Sequence, residues 1–369
     1  MFKKILFLLS IVPTLFSCAE KPIATLEVKN ALAMDRTEEV VEVDISSLGN
    51  VNSMNEGYVL TDKQGTKIPF IVQSGSLVFQ ASVPANATAV YELRKGEPAE
   101  VKAKTFARFV PERSDDFAWE NDLAAYRMYG PALAYANPSN GVDLWLKRTD
   151  ELIVNEFYRL REEDGMSYHV DHGKGLDCYK VAHTLGAGGI APYTSKAWVS
   201  DYFNSYSEDI TTPFYSEFTL VYDTIKVDGK YYKQTITIRT EAGSVLNKAV
   251  VKYEGEDMPM QLAAGIILHD GSGVQVKDGN IIAYAEDATS DKGIPSGRNY
   301  VGVYVPGAKQ ITTDEEHLLI IADYKVGNEF TYYFGGGWNK WKFPEDKDWF
   351  DAVARFEKLK ESPLAVSIK

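Results

Sequence analysis

The feature that most constrains the fold is a series of long runs in which apolar and polar residues alternate. They are Phe214–Tyr222, Tyr231–Thr240, Val245–Tyr253, Gly265–His269, Asn280–Ala285, Tyr300–Val305, His317–Tyr324 and Phe330–Phe334. A period of two sends one face of each run into a core and the other into water. Asp228-Gly229, Asp270-Gly271 and Asp278-Gly279 punctuate them, and Asp-Gly pairs readily adopt the backbone of tight hairpins. So many long antiparallel strands bury their apolar faces only by stacking two broad sheets. Residues 101–369 are therefore expected to form a large antiparallel two-sheet supersandwich. Within it, Trp349, Val353, Phe356 and Leu359 share one stripe of Lys347–Leu359, which predicts a short C-terminal helix lying on a sheet.

Before residue 100 the runs are shorter: Ala24–Val28, Glu39–Ile45, Gly57–Thr61, Ser76–Ala81 and Ala89–Arg94. Their spacing predicts a small N-terminal β-sandwich over residues 18–100. Lys95-Gly96-Glu97-Pro98-Ala99-Glu100 reads as its exit linker. The expected class is mostly β, and the small sandwich is read as a packing module without catalytic work.

Residues 1–17 read as a leader. Lys3 and Lys4 precede an apolar stretch, Ile5 to Phe16, that is too short to span a bilayer. Leu15-Phe16-Ser17-Cys18 is similar to a bacterial lipobox, in which Cys18 is lipidated and becomes the first mature residue; the alternative is a plain secretory signal. Either way the protein is expected to be exported, and the lipobox implies a lipid anchor in the cell envelope, facing the periplasm. Loss of Lys3 and Lys4 takes the formal charge from −13 to −15. That charge excludes a nucleic-acid partner held by phosphate contacts. With Cys18 carrying lipid, Cys178 has no partner for a disulfide.

Three stretches concentrate chemistry. Three of the five His residues fall in a glycine-punctuated segment, Tyr168-His169-Val170-Asp171-His172-Gly173-Lys174-Gly175-Leu176-Asp177-Cys178-Tyr179, which continues to His183. No apolar face can form there, so a pocket-lining loop is expected. One reading makes His169 and His172 proton-transfer groups, helped by Tyr168 or Tyr179, with Lys174 holding an anion. A second gathers His169, Asp171, His172 and His183 around a divalent metal such as zinc, although the spacing matches no standard zinc signature. A third leaves the imidazoles capping nearby backbone. The second stretch runs from Arg108 through Arg113, Asp115, Asp116, Trp119, Glu120 and Asp122 to Arg127 and on to Pro131. It interleaves aromatic planes, which stack on sugars, with charges that grip hydroxyls and carboxylates. An exposed charge ladder on a sheet face is the competing reading. The third is Gly335-Gly336-Gly337-Trp338, either a loop presenting an indole at a cleft rim or a turn capping the last strand.

Together these stretches resemble an uncharacterised-domain family of secreted polysaccharide-utilisation lipoproteins that includes an oligosaccharide dehydratase of ulvan breakdown. The resemblance implies removal of water from a non-reducing-end glucuronate, giving a 4,5-unsaturated uronate. Such chemistry needs a cation on the carboxylate, a base for the C5 proton and an acid for the C4 hydroxyl, but no cofactor. On this reading His169, His172, Tyr168 and Tyr179 transfer protons. Arg113, Trp119, Glu120, Asp122, Arg127, Lys174 and Trp338 bind an anionic oligosaccharide. Loss of the His172 imidazole is expected to cost about 100-fold in turnover or more. A polysaccharide lyase, a sugar mutarotase and a non-catalytic glycan-binding lipoprotein are the alternatives.

Overall fold

The computed structural model describes residues 21–49, 57–134, 141–269, 273–290 and 292–369. Cys18 with its leader, and the Asp270-Gly271 turn, lie outside the described residues.

Alternation in Ser76–Val83 builds the N-terminal sandwich. Leu77, Phe79, Ala81 and Val83 are buried against Leu26, Val28, Leu60 and Leu93 of the facing sheet. One sheet has the strand order Arg36–Asp44, Ser76–Val83, Phe70–Gln73. The other has the order Ala365–Ile368, Ala24–Lys29, Thr88–Lys95, Tyr58–Asp62, Lys67–Ile68. Its first strand is the end of the chain, which the sequence reading placed with the large body. Ala365–Ile368 instead returns to pair with Ala24–Lys29 and ties the two bodies together. On the opposite face of Ser76–Val83, Val78 packs against Phe214 and Tyr215 of the large body.

The large body stacks an eight-stranded antiparallel sheet on two smaller ones. The eight-stranded sheet runs from Ser205–Thr211 at one edge to Val274–Asp278 at the other. Facing it are a five-stranded sheet (Gly175–Asp177, Asp143–Lys147, Ala124–Met128, Asp116–Asn121, Thr105–Val110) and a four-stranded one (Ala187–Tyr193, Met260–Ile267, His317–Tyr324, Gln310–Thr313). The main core fills the space between, with Trp119, Phe218, Ile282 and Phe334 inside it.

Two helices lie outside the layers. The first, α1 (Val154–Asp164), was not foreseen: its buried stripe is only Val154, Phe157 and Tyr158, too narrow to stand out in the sequence. The second, α2 (Asp346–Glu361), is the expected C-terminal helix, buried through Trp349, Val353 and Phe356 against the eight-stranded sheet. Its start is fixed by a reciprocal capping box between Glu345 and Asp348.

Candidate functional site

The five-stranded sheet is apolar on its inner face and charged on its outer one. Phe117, Trp119, Tyr126, Leu144 and Leu146 point into the main core. The alternate positions put Asp116, Glu120, Arg127, Asp143 and Lys147 on the other side, where all five are buried. Helix α1 and the following loop, anchored by Phe157, Tyr158 and Tyr168 packed on Trp145, cover that face. Buried charge survives only when paired. Glu120 therefore accepts hydrogen bonds from Lys147 Nζ at 2.8 Å and from the Ile153 and Val154 amides, both at 2.8 Å. Those amides are donors at the start of α1, which the helix itself leaves unpaired.

Arg127 is the second buried centre. Its Nη2 lies 2.6 Å from Asp143 Oδ2 and 3.1 Å from Asp177 Oδ2, and its Nε 3.7 Å from Asp116 Oδ2. Burial works against the guanidinium, but Asp143 and Asp177 outweigh it and hold Arg127 firmly charged. Asp116 is different. Burial pushes its carboxyl up to about 6, despite Arg127 and a hydrogen bond from the Gly130 amide.

From Arg127 the contacts extend through Asp177 to one imidazole, His169, and a second, His269, lies beside Tyr179. On one side, His169 Nδ1 is 2.9 Å from the Asp177 carbonyl and 3.4 Å from its carboxylate. Donation to the carbonyl places the lone pair of a neutral His169 ring on Nε2. On the other side, Tyr179 is buried, and its ring meets His269 edge-on at 5.1 Å. His269 Nδ1 is 2.6 Å from Glu286 Oε1, and its Nε2 is 2.5 Å from the Lys180 carbonyl. Both nitrogens face acceptors, the arrangement an imidazolium requires. Burial opposes that charge, yet the bond to Glu286 outweighs it and raises His269 above its ordinary range. Burial, reinforced by Glu286, lifts the Tyr179 hydroxyl well above its usual range and keeps it protonated. The two imidazoles are alike in setting: His169 is 26% and His269 25% exposed, while Asp177 and Glu286 behind them are 4% and 7% exposed.

Other sequence-predicted residues are placed elsewhere. Tyr168 is buried on Trp145, and its hydroxyl accepts from Arg113 Nε at 2.7 Å. His172 is exposed and bonded to the Ser167 carbonyl at 3.0 Å. It lines a hollow of about 220 Å³ with Tyr168 and Lys174. Lys174 is neutralised there by Glu151 and Glu156, each at 2.7 Å, so an anion gains little from it. Asp122 accepts the Gly243 amide at 2.7 Å, a turn contact.

Four expectations need correction. Trp119 is fully buried with its indole N–H on Asn247, so it offers no surface to a sugar. Trp338 is likewise buried, donating to the Ser296 carbonyl at 2.7 Å. Gly335-Gly336-Gly337 belong to the strand Glu329–Trp338 rather than to a rim loop. A side chain at Gly336 would meet Leu144 of the facing sheet at 2.4 Å, so smallness is a packing demand. Glu120 is committed to Lys147 and α1, leaving it nothing for a substrate. The metal alternative does not assemble either. His183 is exposed beside Asp201 at 3.3 Å, Asp171 caps the Gly173 amide, and His172 turns to Ser167. Among the described residues no three His, Cys, Asp or Glu side chains are grouped to hold an ion.

His269, Glu286 and Asp143 were missed. A signal existed for Glu286, which continues the inward phase of Ile282 and Tyr284 where an apolar residue is expected. The turn before the site is strained in the structure. Ser114 and Asp115 both adopt left-handed backbone, with φ of 57° and 60°. Gly130 packs so closely on this turn that an added Cβ would lie 1.7 Å from the Asp115 carbonyl oxygen. Gly130→Ala is expected to cost about 3 kcal/mol or more, read from the urea midpoint.

Fold and site together define a β-supersandwich protein with two carboxylate-backed imidazoles, one of them joined through Asp177 to a buried arginine. The chain belongs to the family described as Domain of unknown function (DUF4861), which matches residues 28–366. An uncharacterized protein, P7, of Formosa agariphila is 28% identical over 394 residues, spanning 96% of this chain and 97% of that one. Among solved structures, an α-mannosidase from Enterococcus faecalis V583 superposes with a TM-score of 0.47 at 6% identity, over 94% of this chain and 46% of that one. A glycosyl hydrolase family 38 protein from Enterococcus faecalis gives a TM-score of 0.43 at 8% identity, over 94% and 47%. The chain thus spans about half the length of these two structures.

Proposed function

We propose that this protein is an oligosaccharide dehydratase, a carbon–oxygen lyase that removes water from a non-reducing-end glucuronate. The observation that carries the reading is the pair of quarter-exposed imidazoles, each backed by a buried carboxylate. Elimination needs a base and an acid, and Glu286 favours the protonated form of His269 that an acid requires. His169 Nε2 takes the C5 proton, and the released electron pair forms the C4–C5 double bond. The C4 hydroxyl leaves as water with a proton from the His269 imidazolium, which Glu286 holds in place. Arg113, half-buried and anchored on Tyr168, meets the substrate carboxylate, while Arg127 stays engaged with its three aspartates. The lipobox-like Leu15–Cys18 supports export and tethering by lipid at Cys18, near a polymer-degrading surface.

The test is incubation with glucuronate-ended oligosaccharides while mass and ultraviolet absorbance are recorded. Dehydration gives loss of one water with a conjugated alkene. Chain cleavage without water loss would make the protein a polysaccharide lyase, unchanged mass a mutarotase, and binding without absorbance a glycan-binding protein. In the same assay His169→Ala is expected to lose about 100-fold or more in turnover. His172→Ala, bonded only to backbone, is expected to stay within about threefold, in place of the large loss its sequence position implied.

A further inference from the structure

A hollow of about 500 Å³ lies where edge strands of the two layers meet, lined by Phe109, Asp115, Pro131, Phe203, Asn204 and Tyr206 among others. Thr105–Val110 is the edge of the five-stranded sheet and Ser205–Thr211 the edge of the eight-stranded one. Phe109 and Tyr206 close this seam by stacking, with centroids 4.3 Å apart and planes at 15°. Buried Phe117 supports Tyr206 from 5.6 Å. The seam does not consume the whole tyrosine, which remains 40% exposed. A large aromatic held rigid yet wet is the platform that Trp119 and Trp338 do not provide.

One strained turn joins the lining of the hollow to residues of the candidate site. Arg113 reaches Tyr168, Asp115 lines the hollow, and Asp116 faces Arg127 while accepting the Gly130 amide at 3.1 Å. Left-handed backbone at Ser114 and Asp115 is the strain that surroundings maintain at functional sites. Among the described residues the lining holds one carboxylate and no Lys, Arg or His, and Glu208 on the same edge strand binds the Phe109 amide at 2.9 Å. Carboxylates accept from sugar hydroxyls but repel sulfate and uronate groups.

We propose that this hollow is a substrate subsite that holds a neutral sugar ring farther along the oligosaccharide. The ring's apolar face lies on Tyr206, and its hydroxyls donate to Asp115. The assignment rests on the proposed function for its substrate class, and it adds discrimination between neutral and sulfated inner sugars.

Calorimetric titration tests it with a glucuronate-ended disaccharide and with tetrasaccharides whose inner rings are unsulfated or sulfated. Tyr206→Ala is expected to weaken binding of the unsulfated tetrasaccharide about tenfold, with a much smaller change for the disaccharide. Tyr206→Phe keeps the ring and is expected to stay within about twofold. Tyr231→Ala, at an exposed tyrosine outside the hollow, serves as the control for surface substitution. Asp115→Asn, tolerated in left-handed backbone, should narrow the preference for the unsulfated chain. Equal tetrasaccharide affinity in the parent and Tyr206→Ala, or tighter binding of the sulfated chain, overturns the subsite. Alkene formation that ignores Tyr206 removes the subsite but keeps the dehydratase. Length-dependent binding through Tyr206 without alkene formation does the reverse.

Discussion

His269→Ala should lower turnover of glucuronate-ended oligosaccharides by about 100-fold or more, the scale of losing a proton-transfer group. The ring is held at both nitrogens, by Glu286 and by the Lys180 carbonyl, and lies edge-on to Tyr179. Glu286→Gln separates charge from position. The substituted amide keeps a hydrogen-bonding side chain but not the anion that raises His269. The basic limb of the kcat profile, set by loss of the His269 proton, should then move to lower pH. Stability follows the same sign. A raised folded value means that His269 contributes fully below the ordinary histidine range and that its contribution is lost as pH rises through the higher folded value. Melting curves of the parent across neutral pH should show that decline, and Glu286→Gln should flatten it. Turnover of His269→Ala within about threefold of the parent, or an unmoved basic limb in Glu286→Gln, sinks the assignment.

The architecture was legible because it follows from period. Long alternating runs such as Tyr231–Thr240 had to be half-buried strands, and the stripe from Trp349 to Phe356 had to be a helix. The site was legible only as neighbourhoods. Tyr168, His169 and Tyr179 lie in a segment that could form no apolar face, and Arg113 and Arg127 in a ladder that interleaves charges with aromatics. What sequence could not supply is the side of the sheet on which each residue falls. Trp119 and Glu120 are adjacent, yet one enters the main core and the other lies under α1. Local density also misled where the partner is remote. His172 looked equivalent to His169, but only His169 meets Asp177, whereas His269 gains its carboxylate from a strand 17 positions away.

Arg127→Met should cost more stability than any other single change in this cluster, about 3–5 kcal/mol. Methionine approximates the arginine's volume, so the effect isolates charge from packing. The guanidinium is the cation shared by Asp116, Asp143 and Asp177, and it rests over Trp145 with its Cζ 5.4 Å from the ring centroid. Its Nε and Nη1, with Asp116 Oδ2 and Asp143 Oδ1, make no hydrogen bonds among the described residues, so much of the cohesion is coulombic. Without Arg127, three carboxylates share a buried face and must take up protons or draw in water. Their folded values then rise above the unfolded ones, so the variant's stability is retained at acid pH and lost as pH rises through them. The gap between parent and variant should therefore be about 10 °C in Tm at neutral pH and shrink toward pH 4. Adding Asp143→Asn to Arg127→Met should recover part of the loss, because one repelling charge is gone. A Tm change under about 2 °C, or a gap that does not vary with pH, means that Arg127 does not hold the aspartates by charge. In that case the path from His169 through Asp177 to Arg127 has no electrostatic spine.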